Sequence, residues 1–214
     1  MSSASPRAEA VAYRLGIPER HRVAAAALYH AAFARLLRPV IGDDAVGLGL
    51  LAPALDLERA VAAIVPAGAG AGAGAEEQLV GVCGLHFAGR HFVALEVRPL
   101  LRAYGLVDGA RRVWAGGLLD RRPRRGELVI DGIAVAPAAR GAGIGRGLLA
   151  AVERFARAGP FAAIVLDVAS DNLSARALYR RAGFTAGPPR SPRLVRRVYG
   201  VPAIVTMRRA LDPP

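Results

Sequence analysis

The chain contains no lysine. Its 29 basic side chains are all arginine, set against 17 acidic ones, for a formal net charge of +12 over 214 residues. A P-loop nucleotidase is thereby excluded, because that motif needs a lysine ammonium on the β- and γ-phosphates. Cysteine is nearly absent as well. The lone thiol, Cys83, cannot close an internal disulfide, which excludes a disulfide-stapled scaffold and a cysteine-built metal site. Aromatic residues are only 6% of the chain, too few for an evident base-stacking platform, so nucleic acid is a disfavoured partner despite the charge. Met1 to Ala10 has no apolar run after a basic start, and no secretory signal is expected. The most apolar stretch, 59–75, is interrupted by Pro66 and four glycines and is too short to span a bilayer. A cytoplasmic protein with no membrane partner and no metal is the expectation.

What is present is enough for a core. At 53% hydrophobic and 21% charged residues, a chain of this length buries a proper interior and is most simply one domain, expected over 11–210 after a disordered 1–10. Charge is unevenly spread: residues 1–110 hold 10 Arg and 10 acidic residues, whereas 111–214 hold 19 Arg and 7 acidic. Val11 to Leu15 reads as a strand. Glu19 to Val40 is helical, with Tyr29, Phe33, Leu36 and Val40 at three- and four-residue steps. A second helix is predicted from Asp44 to Leu55, with Gly42 as terminator and Asp43-Asp44 as N-cap. Arg59 to Val65 and Gln78 to Phe87 read as two strands joined by a flexible Ala/Gly hairpin tip. An inserted segment, 91–120, reads as two short helices broken at Pro99 or Gly105. A basic loop, 121–125, follows it.

Beyond that loop, Glu127 to Val135 is β-rich and ends at Pro137. The run Arg140-Gly141-Ala142-Gly143-Ile144-Gly145-Arg146-Gly147 then opens an amphipathic helix carrying Leu148, Leu149, Val152, Phe155 and Ala156. Phe161 to Val168 is an apolar strand, Asn172 to Ala182 a helix stopped by Gly183, and Val201 to Met207 a last strand after a basic loop at 190–197. Strand, glycine loop, helix and strand make a βαβ unit with parallel pairing. Alternating glycines at a helix entry let backbone N–H groups approach an anion, and the helix dipole favours one there. Arg140 and Arg146 add charge-assisted donors, although glycine also serves plain helix packing. The dinucleotide fingerprint is not completed: its third glycine would fall at Arg146 or Leu148. Asp167 could still serve as the acidic ribose ligand, so that reading is weakened rather than removed.

Arg140 to Gly145 resembles the Arg/Gln-x-x-Gly-x-Gly/Ala signature of the GNAT superfamily of acetyl-CoA-dependent N-acetyltransferases. Asn172 to Phe184 is similar at every fixed place to that family's Asn-x-x-Ala-x-x-Leu-Tyr-x-x-x-Gly-Phe segment. The resemblance covers 127–184. It implies an α/β fold of α+β character, a mixed, splayed sheet with helices on both faces. It also implies acetyl-CoA as donor, its pyrophosphate held by Arg140, Gly141, Ala142, Gly143, Ile144, Gly145 and Arg146. Main-chain groups of Ile133, Ala134 and Val135 would pair with the pantetheine arm, one of them near Ala134 or Val135 serving the oxyanion. Asn172 would bond the pantetheine, and Tyr179 would lie near the thioester sulfur. Taken alone, Asn172 reads as an N-cap and Tyr179 as a core aromatic.

The implied reaction is direct transfer to an amine. Cys83, in an apolar strand, reads as a buried small hydrophobe rather than an acyl carrier. Glu127 is the candidate base, with Asp131 four residues on along the same strand face as alternative base or acceptor-binding group, and water a third choice. Tyr179 is the candidate acid. The acceptor, a small molecule or a peptide amine, is left open, as is a homodimer. Segment 91–120, with Tyr104, Trp114 and its leucines, either roofs the acceptor site as a lid or packs on the sheet. A non-catalytic acyl-CoA sensor and a basic nucleic-acid binder are the competing readings.

Overall fold

The computed structural model describes residues 11–42, 45–66, 77–118 and 123–211. The expected disordered N-terminus, the Asp43-Asp44 cap, most of the Ala/Gly tip and Arg121-Arg122 lie outside the described residues.

Seven strands form one sheet: β1 (Ala12–Leu15), β2 (Ala60–Val65), β3 (Gln78–His86), β4 (Glu127–Val135), β5 (Ala163–Ala169), β6 (Thr185–Arg190) and β7 (Ile204–Ala210), in the order β1-β2-β3-β4-β5-β7-β6. Neighbours are antiparallel except β4 and β5, which run parallel across the expected βαβ unit. The sheet is therefore mixed. Its helices are α1 (Arg22–Ala32), α2 (Ala34–Ile41), α3 (Ala45–Ala54), α4 (Val97–Gly117), α5 (Ile144–Ala158), α6 (Leu173–Arg181) and α7 (Arg193–Tyr199).

Two apolar layers, one on each sheet face, fix this arrangement. On one face α5 lays Leu148, Leu149, Val152 and Ala156 onto Val61, Ala63 and Leu128, each large side chain contributing about 1.5–3 kcal/mol by leaving water. That contact demands small residues: a Cβ on Gly147 would meet the Tyr13 ring at 2.1 Å, and one on Gly81 would meet Ile144 at 3.0 Å. On the other face α1, α2, α3, α4 and α7 bury Tyr29, Ile41, Leu51, Leu100 and Tyr199 over Ala62, Val82 and Ala134.

Several expected boundaries move. The helix read as continuous from Glu19 to Val40 breaks at Phe33, whose backbone leaves the helical region while its ring lies on the strand at Gly132. Of the two breaks offered for 91–120, Gly105 is the real one: it holds φ 75°, while Pro99 sits in the first turn of α4, where a missing N–H costs nothing. The basic loop at 190–197 is mostly helix, because Val195 and Tyr199, four residues apart, are both buried while Arg193, Arg196 and Arg197 stay out. β6 was not expected at all. Every one of its residues is exposed and it contains Pro188 and Pro189, which only an edge strand with a register shift accommodates. β5 and β7 each start two to three residues later than the apolar runs suggest.

Arginine replaces lysine here largely as a carbonyl cap. Arg22 donates to the Ala52 and Leu55 carbonyls, Arg35 to those of Tyr199 and Gly200, Arg176 to Ser170 and Arg209 to Ala182. A forked, planar guanidinium satisfies chain ends that a point ammonium would not. No helix among the described residues is long and apolar enough to cross a membrane.

Candidate active site

The parallel ladder between β4 and β5 is short. It pairs Glu127 with Ala163 and ends at Ile130 with Leu166, although β4 continues to Val135 and β5 to Ala169. Beyond the ladder, β5 follows β7 and β4 follows β3. A register shift between Gly84 and Leu85 of β3 leaves Asp131 as the extra residue of a bulge on β4, the device that bends a strand away from its neighbour. The main chain of Ile133, Ala134 and Val135 is thus paired on one edge and lies beside an opening on the other.

β4 leads through one 3₁₀ turn at Pro137–Ala139 into the glycine loop. Gly141 and Gly143 both stand at φ 81°, the left-handed region that L-residues avoid, and Gly143 is the N-cap of α5. No side chain caps that helix, and no backbone bond in the loop is donated by Gly141, Ala142 or Gly143. Unpaired N–H groups at a helix start favour an anion, and Arg140 and Arg146 are exposed on either side. The two readings of the glycines divide by position. Gly141 and Gly143 shape the cradle, whereas Gly145 admits Leu178 of α6 at 3.1 Å from where its Cβ would stand, and Gly147 admits Tyr13.

α6 lies against the start of α5, its Leu178 beside Gly145. Asn172 caps it, its side-chain oxygen accepting from the Ala175 N–H at 3.1 Å, so the bland reading of this residue is realised in full. Tyr179 is buried against Phe184, and burial pushes its hydroxyl well above the ordinary phenol range. A phenol held that way stays protonated at neutral pH and remains a donor. Burial and the nearby Asp131 carboxylate raise the Cys83 thiol even further out of reach, which removes the thiolate an acyl carrier needs.

A cavity of about 1270 Å³ lies on the α1–α4 face and reaches the same opening. Glu127 and Asp131 both line it, in agreement with the even spacing. Their states differ. Glu127 is buried, one oxygen accepting the Arg124 N–H and the other paired with Arg208. Asp131 accepts the Phe92 N–H on one oxygen at 3.1 Å, while the His91 ring stands 3.8 Å from the other. Asp167, paired with Arg190 and Thr206, is the third carboxylate of the lining. It faces the apolar helices rather than the glycine loop, which disposes of the ribose-ligand role.

Segment 91–120 supplies a wall of this cavity through Val93, Leu95, Leu100 and Val113. Trp114 instead lies half exposed outside the lining, and Tyr104 anchors α4 by donating to the Ile41 carbonyl. Sequence reasoning missed His91, Arg190 and Arg208, and gave Asp167 a different role from the cavity lining it joins. Arg190 opens a run read only as a basic loop and Arg208 follows the last predicted strand, and their pairing depends on β5 lying against β7. His86, His91 and Asp131 form the one grouping of metal-ligand donors among the described residues, within 4.8 Å of one another. The two imidazoles lie with ring centroids 3.4 Å apart and planes tilted by 35°.

Similarity to known proteins agrees with this geometry. No curated protein matches the chain in sequence. A GCN5-related N-acetyltransferase from Kribbella flavida shares the fold with a TM-score of 0.61 at 16% identity, over 95% of this chain and 99% of that one. The yncA protein of Salmonella typhimurium, solved with acetyl-CoA, gives 0.57 at 16% identity over 95% of each chain. A ribosomal-protein-alanine N-acetyltransferase from Brucella melitensis gives 0.54 at 18% identity, over 94% and 99%. Residues 51–184 match the acetyltransferase (GNAT) family, well over half of the sequence, and the chain belongs to that family.

Proposed function

We propose that the protein transfers the acetyl group of acetyl-CoA directly to an amine. The observation that carries this reading is the pairing of an open β4 edge with a left-handed, uncapped glycine loop at its end. Together they offer main-chain donors to an extended amide arm and to a pyrophosphate. Arg140, Gly141, Ala142, Gly143, Ile144, Gly145 and Arg146 would hold the diphosphate, and the edge at Ile133 to Val135, with Asn172 opposite, the pantetheine. The Asn172 oxygen is spent on its helix cap, so its amide nitrogen is the atom for that contact. When bound, acetyl-CoA supplies an activated thioester.

The chain's own residues then have three tasks. Main-chain N–H groups near Ala134 or Val135 meet the negative charge that develops on the carbonyl oxygen. Tyr179, protonated and buried beside the opening, donates a proton to the departing sulfur. A carboxylate takes the proton from the amine. Of the two candidates, Asp131 suits that task better than Glu127, because it stands at the bulge where the strands part, and no arginine pairs with it among the described residues. Glu127 lies four strand residues away, about 13 Å at the usual rise, with both oxygens engaged. It acts as a positioning group for Arg208 or through water.

Calorimetric titration with acetyl-CoA, followed by thiol release over a panel of amines, tests this. Micromolar binding and turnover are expected. Absence of binding overturns the proposal, and binding without turnover on any amine converts it to the sensor reading.

A further inference from the structure

The acceptor half of the cleft carries a more specific message, which rests on the transfer reading above. Most of its wall is hydrocarbon, beside three carboxylates and the guanidinium-bearing Arg124, Arg190 and Arg208. Phe33, Leu37 and Val40 come from the α1–α2 side, Leu100 and Val113 from α4, and Val195 from α7, surrounding a space of about 1270 Å³. That is large beside the roughly 300–1,000 Å³ of ordinary small-molecule sites, so there is room for a bulky body as well as the reacting end of the donor.

The charges in this space are nearly balanced among themselves. Glu127 is matched by Arg208, and Asp167 by Arg190 and Thr206. Among the described residues only Asp131 faces the cavity with a histidine ring, rather than a guanidinium, as its basic neighbour. One carboxylate offers one seat for an ammonium. A second or third cationic centre on the same acceptor would be driven into leucine and valine, at the cost of stripping its water without a partner.

The roof also limits shape. α7 is tied to α4 by the Tyr199 hydroxyl donating to the Ala115 carbonyl, and to α2 by Arg35 donating to the Tyr199 and Gly200 carbonyls. Arg35 is held in turn by Asp171 at 2.8 Å. These ties fasten α7 to α2 and α4, and the exposed β6 residues Thr185 to Pro188 complete the lining.

We infer that the acceptor is a compact primary monoamine with a bulky aromatic or branched aliphatic body. Its ammonium sits at Asp131 and its body lies among Phe33, Leu37, Val40, Leu100, Val113 and Val195. Polyamines and peptides are the classes this site rejects.

The test compares 2-phenylethylamine and isoamylamine with spermidine and a lysine-containing hexapeptide, at saturating acetyl-CoA, by thiol release. A kcat/KM for the apolar monoamines at least about thirtyfold above the other two is expected, in the range that burial of a few methylenes supplies. Spermidine or the peptide equalling or exceeding them overturns the inference. Leu37→Asn should raise KM for phenylethylamine about tenfold while leaving acetyl-CoA affinity unchanged. An unchanged KM in a folded variant likewise overturns it. Titration of phenylethylamine into the CoA-loaded protein separates the two levels of the argument. Acetyl-CoA binding with neither turnover nor phenylethylamine binding sinks the acceptor class alone. Loss of acetyl-CoA binding sinks the transfer reading beneath it.

Discussion

The glycine cradle at the end of β4 and the apolar cavity under α2, α4 and α7 meet at one opening, yet they are made of different things. The cradle is main chain: two left-handed glycines, an uncapped helix start and a strand edge, all within 127–147. The cavity is side chain, gathered from α1, α2, α4, α7 and four strands. A surface of backbone amides recognises a phosphate or an amide arm and little else, so it suits a donor that never changes. A surface of side chains can be reshaped residue by residue without touching the donor site, which suits an acceptor that differs between relatives of one fold.

The comparison is broken most directly at the point where both halves meet. Asp131→Asn should lower kcat/KM by about 10²–10⁴ if this carboxylate takes the proton, with acetyl-CoA affinity retained by calorimetry. Should Glu127→Gln produce the larger loss, the two carboxylates exchange roles. Tyr179→Phe should cost about 10² in kcat with little change in acetyl-CoA binding, since only the hydroxyl that donates to sulfur is removed. Single-turnover rates read this without interference from product release.

Gly143→Val attacks the cradle alone. A β-branched residue at φ 81° costs at least the roughly 1–2 kcal/mol of left-handed strain, and tenfold or more in acetyl-CoA affinity should follow, with phenylethylamine binding preserved. Gly147→Ala distinguishes packing from cradle within the same motif: the Tyr13 ring must move, stability should fall by about 1–3 kcal/mol, and the affinity of the folded fraction should persist. A reversed pattern would mean that the cradle extends to residue 147.

The smallest effect sits in the roof. Burial pushes the Tyr199 hydroxyl up to about 12, above its ordinary value of 10. A raised value makes its contribution complete below pH 10, and the contribution fades as pH climbs toward 12. Tyr199→Phe should cost about 1 kcal/mol at neutral pH for the lost bond to Ala115. It should also flatten the decline of denaturant midpoint between pH 10 and 12.

The contrast between the two halves explains what could be read early. Arg140 to Gly145 and Asn172 to Phe184 are local motifs whose geometry follows from residues a few places apart, and the cradle and α6 stand where those motifs imply. Asp131 was legible as a candidate, but its bulge was not, because a register shift against β3 leaves no mark in β4's own sequence. α7 hid in a run of arginines whose apolar partners, Val195 and Tyr199, become meaningful only against Ala115 and Arg35. β6 hid behind two prolines.

Lysine's absence and the +12 charge also changed meaning in three dimensions. From the sequence the arginines of 190–209 are only an excess of charge. In the fold Arg190, Arg208 and Arg209 are matched by Asp167, Glu127 and Glu153. The sequence by itself determined the family and the strand-loop-helix at its centre, because those depend on backbone conformations that glycine and helix caps dictate locally. Only the tertiary structure decided which carboxylate lines the cavity without an arginine partner among the described residues, and that apolar side chains surround it. Those properties belong to residues far apart in the chain, Glu127 with Arg208 and Leu37 with Val195, brought together on one face of the sheet.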